Sequence, residues 1–400
     1  MKKKIILIII SLIILVPIII GIIKYKEYRE IKRIENAIIK VDTVENLSIP
    51  YNTKLKISDL ISDINGQIIN DYDIDTTKLG EKEITFEYLN EENIIIPYTI
   101  TINIIDNTKP VVWLNSTLTV AVGTKNILDK IMCGDDLDND PQKEIVGEYN
   151  LDKVGNYHLN YVATDFSGNK TTIPFTLKVV NKVTNTYNTE RIKFKKIYDK
   201  YKKDDTKIGI DVSKWQGNIN FDLIKNSGIE FAIIKLGGTD GIDGEFYMDP
   251  KFERNITEFS KLNIPIGVYF YSYANTEEKA KEEALYVINT LKEYNIDLPV
   301  FFDWENWSSF NKFKVSFNTL NKTYESFKNT LAENGYESML YGSKNYLEKI
   351  WNRLEDNVWL AHYTTKTDYI GKYTFWQATS SAVIDGITEN TVDVDIWYFK

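Results

Sequence analysis

Two carboxylates stand two positions apart in the carboxyl-terminal half of the chain, at Asp303 and Glu305. They follow the apolar run Val300–Phe302, which is typical of a buried β-strand. Residues two apart on a strand point to the same side, so both carboxylates can face one cavity. Crowding and burial disfavour the charged form, so we expect the pair to keep one proton near neutral pH. Such a proton can serve general acid catalysis at a glycosidic oxygen, although the pattern by itself also fits surface charge.

The elements that must position this pair alternate between strand and helix from about Lys207 onward. Apolar runs followed by helical stretches lie at Ile208–Ile210, Phe231–Leu236, Ile266–Tyr271, Val300–Phe302 and Met339–Tyr341. The clearest helix is predicted over Thr276–Tyr294, with Asn275 as its N-cap. Three further runs, Val358–Ala361, Phe375–Ala378 and Val394–Phe399, leave no room for long helices between them. We therefore predict a (β/α)5(β)3 barrel with its chemistry at the carboxyl ends of the strands, where Asp211 also lies.

The scarce residue types argue against several other chemistries. The chain has one cysteine, Cys133, and two histidines, so an intramolecular disulfide is excluded and a histidine-rich metal site is hard to build. We see no phosphate-binding glycine loop and no metal constellation, and we predict no cofactor and no metal. The net charge of -9 and the isoelectric point near 5.1 argue against a nucleic-acid partner.

Upstream of the barrel, short alternating runs separated by turns predict an all-β region made of two repeats, residues 37–106 and 107–181. The repetition is visible where Thr77-Lys78-Leu79-Gly80 recurs as Asp152-Lys153-Val154-Gly155. The second copy resembles bacterial immunoglobulin-like repeats, so we expect two immunoglobulin-like sandwiches. Such repeats are usually spacers or wall-binding modules, and we favour a spacer. Residues 182–206 are lysine-rich and predict a linker or a short exposed helix.

The first 36 residues predict a cytoplasmic tip, a transmembrane anchor and a juxtamembrane segment. A run without charged residues, Ile5–Ile23, is about 19 residues long and suffices to cross a bilayer. A cleaved signal peptide is the alternative, but its apolar region is usually shorter and ends at small residues. Lysine and arginine counts do not settle the orientation. We expect a single-pass protein of the cell membrane with residues 5–23 in lipid and the barrel outside the cell, in the wall.

The motifs of the barrel region resemble glycoside hydrolase family 25, the N-acetylmuramidases, over residues 207–400. The matching segments are Gly209-Ile210-Asp211-Val212-Ser213, Gln216-Gly217, Phe231-Ala232-Ile233-Ile234-Lys235, Gly267-Val268-Tyr269, Asp303-Trp304-Glu305, Trp359-Leu360-Ala361-His362-Tyr363, Phe375-Trp376-Gln377 and Val392-Asp393-Val394-Asp395. Two segments depart from the family pattern: Lys235-Leu236-Gly237-Gly238 stands where an Ala-Thr-Glu-Gly-like run is frequent, and His362 where Gln is common. These departures bear on substrate preference more than on catalysis.

The resemblance implies roles for individual residues. Glu305 is expected to be the general acid, and Asp303 to support the substrate's 2-acetamido group as it attacks the anomeric carbon; a direct nucleophile is the alternative. Asp211 and Asp393 match the other two acidic positions of the cleft. Aromatic side chains are expected to bind the sugar rings, namely Tyr269, Trp376, Tyr363 and Trp304.

Two functions follow as hypotheses. The first is a membrane-anchored hydrolase that cuts the β-1,4 bond between N-acetylmuramic acid and N-acetylglucosamine in peptidoglycan, with the β repeats holding the barrel out in the wall. The second is a catalytically silent glycan-binding or scaffold protein of the cell envelope. The joint presence of four cleft carboxylates favours the hydrolase. Other envelope protein partners are not identified by the sequence.

Overall fold

The computed structural model describes residues 2–184, 190–305, 310–351 and 353–399, with side chains from residue 17 onward. The chain forms two compact units, residues 1–107 and 108–400.

The described residues of the first unit form one α-helix, a short 3-10 helix at Ile57–Leu60 and six strands. Their bounds are α1 Lys2–Glu35, β1 Val41–Thr43, β2 Ser48–Pro50, β3 Ile61–Ile64, β4 Gly66–Ile68, β5 Gly80–Asn90 and β6 Ile95–Ile105. A four-stranded sheet has the order β2-β6-β5-β4, and β1 pairs with β3. Alternate residues of β5, Ile84, Phe86 and Tyr88, are buried in the core of this unit, as a sheet with one covered face requires.

Helix α1 contradicts the prediction of a membrane anchor. Residues 5–16 of the predicted span have side chains that lie outside the described part of the structure, and from Lys24 onward the helix is rich in charged residues. Within the described residues, no helix combines the length and the apolar character that crossing a bilayer demands. The transmembrane component of the expected fold class is therefore wrong. The single-pass location and the lipid contact through residues 5–23, which depended on it, are corrected with it.

The second unit begins with another β module, residues 111–180. Its strands are β7 Val111–Trp113, β8 Thr117–Ala121, β9 Met132–Gly134, β10 Gln142–Val146, β11 Gly155–Thr164 and β12 Lys170–Val180. The order β10-β11-β12-β8 and the pair β7-β9 match β4-β5-β6-β2 and β1-β3 of the first unit, in agreement with the repeated sequence. In the described residues, the smaller sheet of each module has two strands, β1 and β3 in the first and β7 and β9 in the second. In the larger sheet of the second module, β8 pairs with β12 in parallel. The two antiparallel sheets of an immunoglobulin sandwich are not reproduced, and that assignment is not confirmed.

The rest of the second unit is a barrel with an outer layer of helices. Its elements are β13 Ile192–Lys193, α2 Phe194–Tyr201, β14 Thr206–Val212, α3 Phe221–Ile224, β15 Ala232–Thr239, β16 Phe246–Met248, α4 Phe252–Lys261, β17 Ile266–Tyr271, α5 Glu277–Leu291, β18 Val300–Asp303, α6 Phe310–Phe313, α7 Phe317–Glu333, β19 Ser338–Ser343, α8 Lys344–Lys349, β20 Val358–Ala361, β21 Tyr373–Ile384 and β22 Ile387–Tyr398. Seven strands run parallel in the order β14-β15-β17-β18-β19-β20-β21, and β22 closes the ring by pairing antiparallel with both β21 and β14. The eight-stranded barrel thus has helices after its first five strands only.

Two layers of apolar side chains hold the barrel together. The inner layer includes Phe231, Phe301, Trp359 and Phe375, whose rings meet edge to face at 4.9–5.7 Å. The outer layer lies between the strands and the helices and forms the largest core of the chain. Side chains alternate between the two layers along each strand. Only every second residue of a strand therefore points into the barrel and can face its mouth.

Helix boundaries differ slightly from the sequence prediction. Helix α5 begins at Glu277, and its N-cap is Thr276, whose hydroxyl accepts from Lys279 N at 3.2 Å. The predicted cap, Asn275, lies one position too early. The lysine-rich segment before the barrel forms α2, whose Phe194 and Ile197 are buried in the outer layer while its lysines face solvent. Burial of these two apolar side chains packs α2 against the barrel.

Candidate active site

Asp303 and Glu305 lie together at the mouth of the barrel. Strand β18 is buried along its whole length, and Asp303, its last residue, is only 4% exposed. The neighbouring strands place Tyr271 on one side of Asp303 and Tyr341 on the other. Glu305 reaches solvent and lines a cavity of about 370 Å³. The site therefore has one deep carboxylate and one accessible carboxylate.

The electrostatics of this pair favour retention of a proton. Burial raises the pKa of Asp303 well above its usual range, and repulsion from Glu305 raises it further. The pKa of Glu305 is also raised, because the protein atoms around its partly exposed side chain displace much of the water near its carboxyl group. Lys235 opposes both shifts, since its positive charge lowers the pKa of each carboxyl. Its ammonium lies 4.6 Å from the centre of the Tyr271 ring.

A second pair of carboxylates faces the first from the closing strands. Asp211 on β14 and Asp393 on β22 are directly opposite each other in the antiparallel ladder. Burial raises the pKa of both well above the usual range for aspartate. Repulsion from Glu305 adds to both shifts, and Asp211 in turn contributes to raising the pKa of Asp303. The four acidic residues that the sequence selected are thus brought to one site.

A fifth carboxylate, Asp395, lies beneath the others. It is fully buried, and its Oδ1 accepts a hydrogen bond of 2.8 Å from Trp359 Nε1. Burial raises the pKa of Asp395 to about 8, against the effect of the Trp359 hydrogen bond. Asp395 and Asp211 also interact directly, and their repulsion raises the pKa of Asp211. These two carboxyl groups therefore hold at least one proton between them at neutral pH.

Gln377 connects the carboxylates to two tyrosines. Its Nε2 donates to Asp211 Oδ2 at 2.8 Å, and its Oε1 accepts from Tyr341 at 3.0 Å and from Tyr363 at 2.9 Å. The amide is buried on β21 and faces the barrel interior, because Phe375 two positions earlier lies in the inner layer. Gln377 thus fixes the position of Asp211 relative to the Tyr363 side of the cavity.

Of the four aromatic residues expected to bind sugar, the structure places two at the carboxylates. Tyr269 contacts the inner layer, and burial raises its pKa, with further contributions from the charges of Asp211, Asp303 and Asp393. Tyr363 is 56% exposed and lines the cavity beside Glu305. An exposed ring at this edge can stack against a sugar.

The other two aromatics point away from the mouth. Trp304 is 1% exposed in the outer layer, and its Nε1 donates to Ala274 O at 2.9 Å. Trp376 is 3% exposed and packs at 5.3 Å against Tyr201 of α2. Trp304 follows the inward-facing Asp303 by one position, and Trp376 precedes the inward-facing Gln377. Because side chains alternate along a strand, both tryptophans point outward.

Several functional residues were not assigned a role from the sequence. Gln377, Lys235 and Asp395 stand in motifs that carried the family resemblance, but only their neighbours were selected. Tyr341 ends the apolar run Met339–Tyr341, and the sequence analysis gives it no role in the site. A signal was available, since Lys235 and Tyr269 are aligned neighbours on β15 and β17, and Tyr341 is aligned with Asp303. Inward parity near the carboxyl ends of the parallel strands would have selected Lys235, Tyr341 and Gln377, and parity with Asp393 would have selected Asp395.

The cavity beside Glu305 lies between β19, α8 and β20. It is lined by Glu305, Tyr341, Ser343, Lys344, Asn345, Glu348, Ala361, His362 and Tyr363. His362, one of the departures from the family pattern, receives its partner from its own loop, because its Nδ1 lies 3.0 Å from Thr367 Oγ1. Lys344 is paired with Glu348 and Asp368. The arrangement offers a polar groove beside an acid that can give up a proton.

Comparison with known proteins agrees with this geometry. Residues 210–387 match the sequence profile of glycosyl hydrolases family 25. Lysozyme M1 of Streptomyces globisporus is 25% identical over 199 residues, which cover 45% of this chain and 64% of that protein. The autolytic lysozyme of Clostridium acetobutylicum is 25% identical over 190 residues, which cover 47% of this chain and 54% of that protein. The chain thus spans less than two thirds of the length of these relatives.

Among solved structures, the modular autolysin LytC from Streptococcus pneumoniae is similar at 20% identity and a TM-score of 0.44, covering 78% of this chain and 70% of that one. The profile match includes Asp211 and the Asp303-Trp304-Glu305 motif. The part of the chain that carries the candidate site is therefore similar to glycosyl hydrolases family 25.

Proposed function

We propose that this protein is a peptidoglycan hydrolase that cleaves the β-1,4 bond between N-acetylmuramic acid and N-acetylglucosamine. The observation that carries the proposal is the meeting of Asp303 and Glu305 with Asp211 and Asp393 at the mouth of one barrel. The family 25 domain and the two lysozyme relatives support the substrate class. The cell-wall glycan is the partner of this site.

Glu305 is the general acid of the proposed reaction. It is the accessible member of its pair, so a glycosidic oxygen in the cavity can reach it. Its raised pKa keeps the acid form available at a pH where an ordinary glutamic acid is ionised. Before substrate binds, the deeper burial of Asp303 favours the shared proton on that residue. A glycan that covers Glu305 removes its water and so moves the proton toward Glu305.

Asp303 carries the negative charge once the bound glycan has moved the proton to Glu305. One of its oxygens, Oδ1, is buried without a hydrogen-bond partner among the described residues. An acetamido N–H of the substrate can donate to this oxygen, which orients the acetamido carbonyl oxygen for attack at the anomeric carbon. The positive charge of Lys235 stabilises the charged form of Asp303. The direct attack of Asp303 on the sugar is the alternative, and a glycan with de-acetylated muramic acid separates the two, because only the direct route tolerates it.

Purified cell walls provide the test of the activity. The full-length protein should reduce the turbidity of a wall suspension, and mass spectrometry of the fragments should find N-acetylmuramic acid at the new reducing ends. Fragments that end in N-acetylglucosamine would assign the enzyme to the other glycosidic bond. Binding to walls without any release of fragments would instead identify a silent glycan-binding protein.

A further inference from the structure

The second β module, residues 111–180, is hydrogen-bonded to the part of the chain that follows the catalytic motif. We name residues 310–318 the docking segment. Within it, Asn311 donates from Nδ2 to Ile131 O at 2.9 Å and accepts at Oδ1 from Cys133 N at 3.2 Å. Both partners belong to or adjoin β9 of the module. One side chain therefore satisfies two backbone groups of the other domain.

The start of helix α7 is capped by the same module. Its first residues, Phe317 and Asn318, donate their backbone N–H groups to the carbonyls of Asp135 and Asp136 at 2.8 and 3.0 Å. The N–H of Ser316 donates to Oδ1 of Asn139 at 2.8 Å. A helix leaves its first N–H groups without intrahelical partners, so the module supplies acceptors that this helix needs.

Apolar packing accompanies these bonds. Gly134 of the module lies so close to the rings of Phe310 and Phe317 that a β-carbon there would stand 2.5 and 2.6 Å from them. Trp113 of β7 meets Phe317 edge to face at 6.1 Å and Tyr346 of α8 at 5.9 Å. The interface is close-packed as a domain interior is, which a flexible spacer does not require.

The docking segment in turn supports the residue between the two carboxylates. Phe313 and Phe310 pack against the ring of Trp304 at 4.7 and 6.0 Å. Trp304 cannot turn without displacing them, because it is almost fully buried and hydrogen-bonded to Ala274. Its backbone joins Asp303 to Glu305, so the orientation of Trp304 sets the direction in which Glu305 leaves the strand.

We propose that the second β module is a positioning element of the catalytic centre, acting through the docking segment and Trp304 on Glu305. Asn139 of the module and Asn311 of the docking segment are the positioning residues that join the two. The active unit is then residues 108–400, in agreement with the compact unit that the chain forms. This inference rests on the proposed function, because it concerns the same proton donor. The sequence analysis favours a spacer for this module, whereas we infer that it contributes to the rate of turnover.

The test uses the full chain with the substitution Asn311→Ala, which removes both hydrogen bonds to the module and lies outside the cleft. The matched control is Asn156→Ala, which removes an exposed amide from β11 of the same module. We expect kcat on soluble glycan fragments to fall about three- to tenfold for Asn311→Ala, while KM changes less than about twofold, because a displacement near 1 Å can cost up to about 10²-fold in rate. The control should keep the parental kcat.

A second variant, Asn139→Ala, guards against a general loss of folding. Asn139 is exposed, and its removal takes away only the acceptor for Ser316 N–H. We expect a smaller fall in kcat in the same direction and faster amide hydrogen exchange in residues 310–320. Parental kcat in both variants, measured well below their melting temperatures and with exchange accelerated, would overturn the positioning role. If the parent protein itself releases no fragments, the proposed function fails instead, and the exchange data still report whether the docking segment is held.

Discussion

Gln377 donates a hydrogen bond of 2.8 Å from Nε2 to Oδ2 of Asp211, joining the seventh parallel strand of the barrel to the first. Strand β22 lies between the two, so the bond spans the closure of the barrel. The same amide accepts from Tyr341 and Tyr363 at its oxygen. These three hydrogen bonds determine the orientation of the amide. They also leave Oδ1 of Asp211 as the oxygen that does not bind Gln377.

Replacing Gln377 by Met keeps the length of the side chain and removes these three hydrogen bonds. A buried polar group without a partner costs about 1–3 kcal/mol, so the free energy of unfolding should fall by about that amount. We expect kcat/KM on peptidoglycan fragments to fall at least about tenfold, because Asp211 and Tyr363 lose their common anchor. Denaturant unfolding and turbidity assays measure the two effects. Gln67→Met, at an exposed position of β4, is the control, and equal activity of the two variants would contradict the role of Gln377.

The substitution Lys235→Met tests the charge that opposes proton retention. Lys235 lowers the pKa of both Asp303 and Glu305, so its removal should raise both. The acid must be protonated to act, and the alkaline limb of the kcat/KM profile should therefore move to higher pH. Lys281→Met, on the exposed face of α5, should leave the limb in place. A limb that moves to lower pH would show that Lys235 acts by another route.

The barrel could be predicted from the sequence because its periodicity is local. Each apolar run followed by an amphipathic stretch gave a strand and a helix, and Asp303 and Glu305 stood where such a strand ends. Alternation with their inward-facing neighbours also predicts that Trp304 and Trp376 point outward. The sequence analysis instead expects these aromatic side chains to bind the sugar rings, which the structure does not support.

The remaining features depend on contacts between distant parts of the chain. Gln377 meets Asp211 only because the barrel closes, and Asn311 meets Cys133 across 178 residues. No local sequence pattern predicts either hydrogen bond. The amino-terminal run was judged by its length and lack of charge, whereas the described part of α1 is charged from Lys24 onward.

Glu283 provides a prediction about stability outside the cleft. It is 1% exposed and accepts hydrogen bonds from Thr239, Ser272 and the N–H of Tyr273. Burial raises its pKa from 4.5 to about 7, so the folded protein binds this proton more tightly than the unfolded chain. Its contribution to stability is fully present below about pH 4.5 and is lost as the pH rises to about 7.

The variant Glu283→Gln should therefore flatten the decline of the melting temperature between about pH 4.5 and 7, since Gln does not titrate and both hydroxyls can turn to accept from its amide. Thermal melts at several pH values measure the slope. The neighbouring exposed residue gives the control Glu282→Gln, which should keep the parental slope. An unchanged slope in Glu283→Gln would show that Glu283 is already ionised in the folded protein.

Asp303→Asn tests the coupling of the catalytic pair. In the substrate complex Asp303 carries the negative charge, so its removal makes Glu305 easier to ionise and lowers the pKa of Glu305 there. Turnover should drop because the acetamido group loses its support, and the remaining activity should disappear at lower pH than in the parent. A pH profile of kcat, which reports the substrate complex, measures this shift, which is opposite in sign to that expected for Lys235→Met. Shifts of the same sign in the two variants would contradict the proposed electrostatics.

Glu305→Gln addresses the proton donor itself. Gln has nearly the same size and can still hydrogen-bond, but it has no acidic proton to give to the departing oxygen. General acid catalysis contributes about 10²–10⁴-fold, so kcat should fall by that factor while binding to insoluble walls is largely kept. Release of reducing ends and a wall co-sedimentation assay measure the two quantities on the same preparation. Glu348→Gln is the matched control, because Glu348 lines the same cavity on α8 without contacting Asp303. If Glu305→Gln digests walls near the parental rate, Glu305 is not the acid, and Asp211 and Asp393 are the residues to replace next.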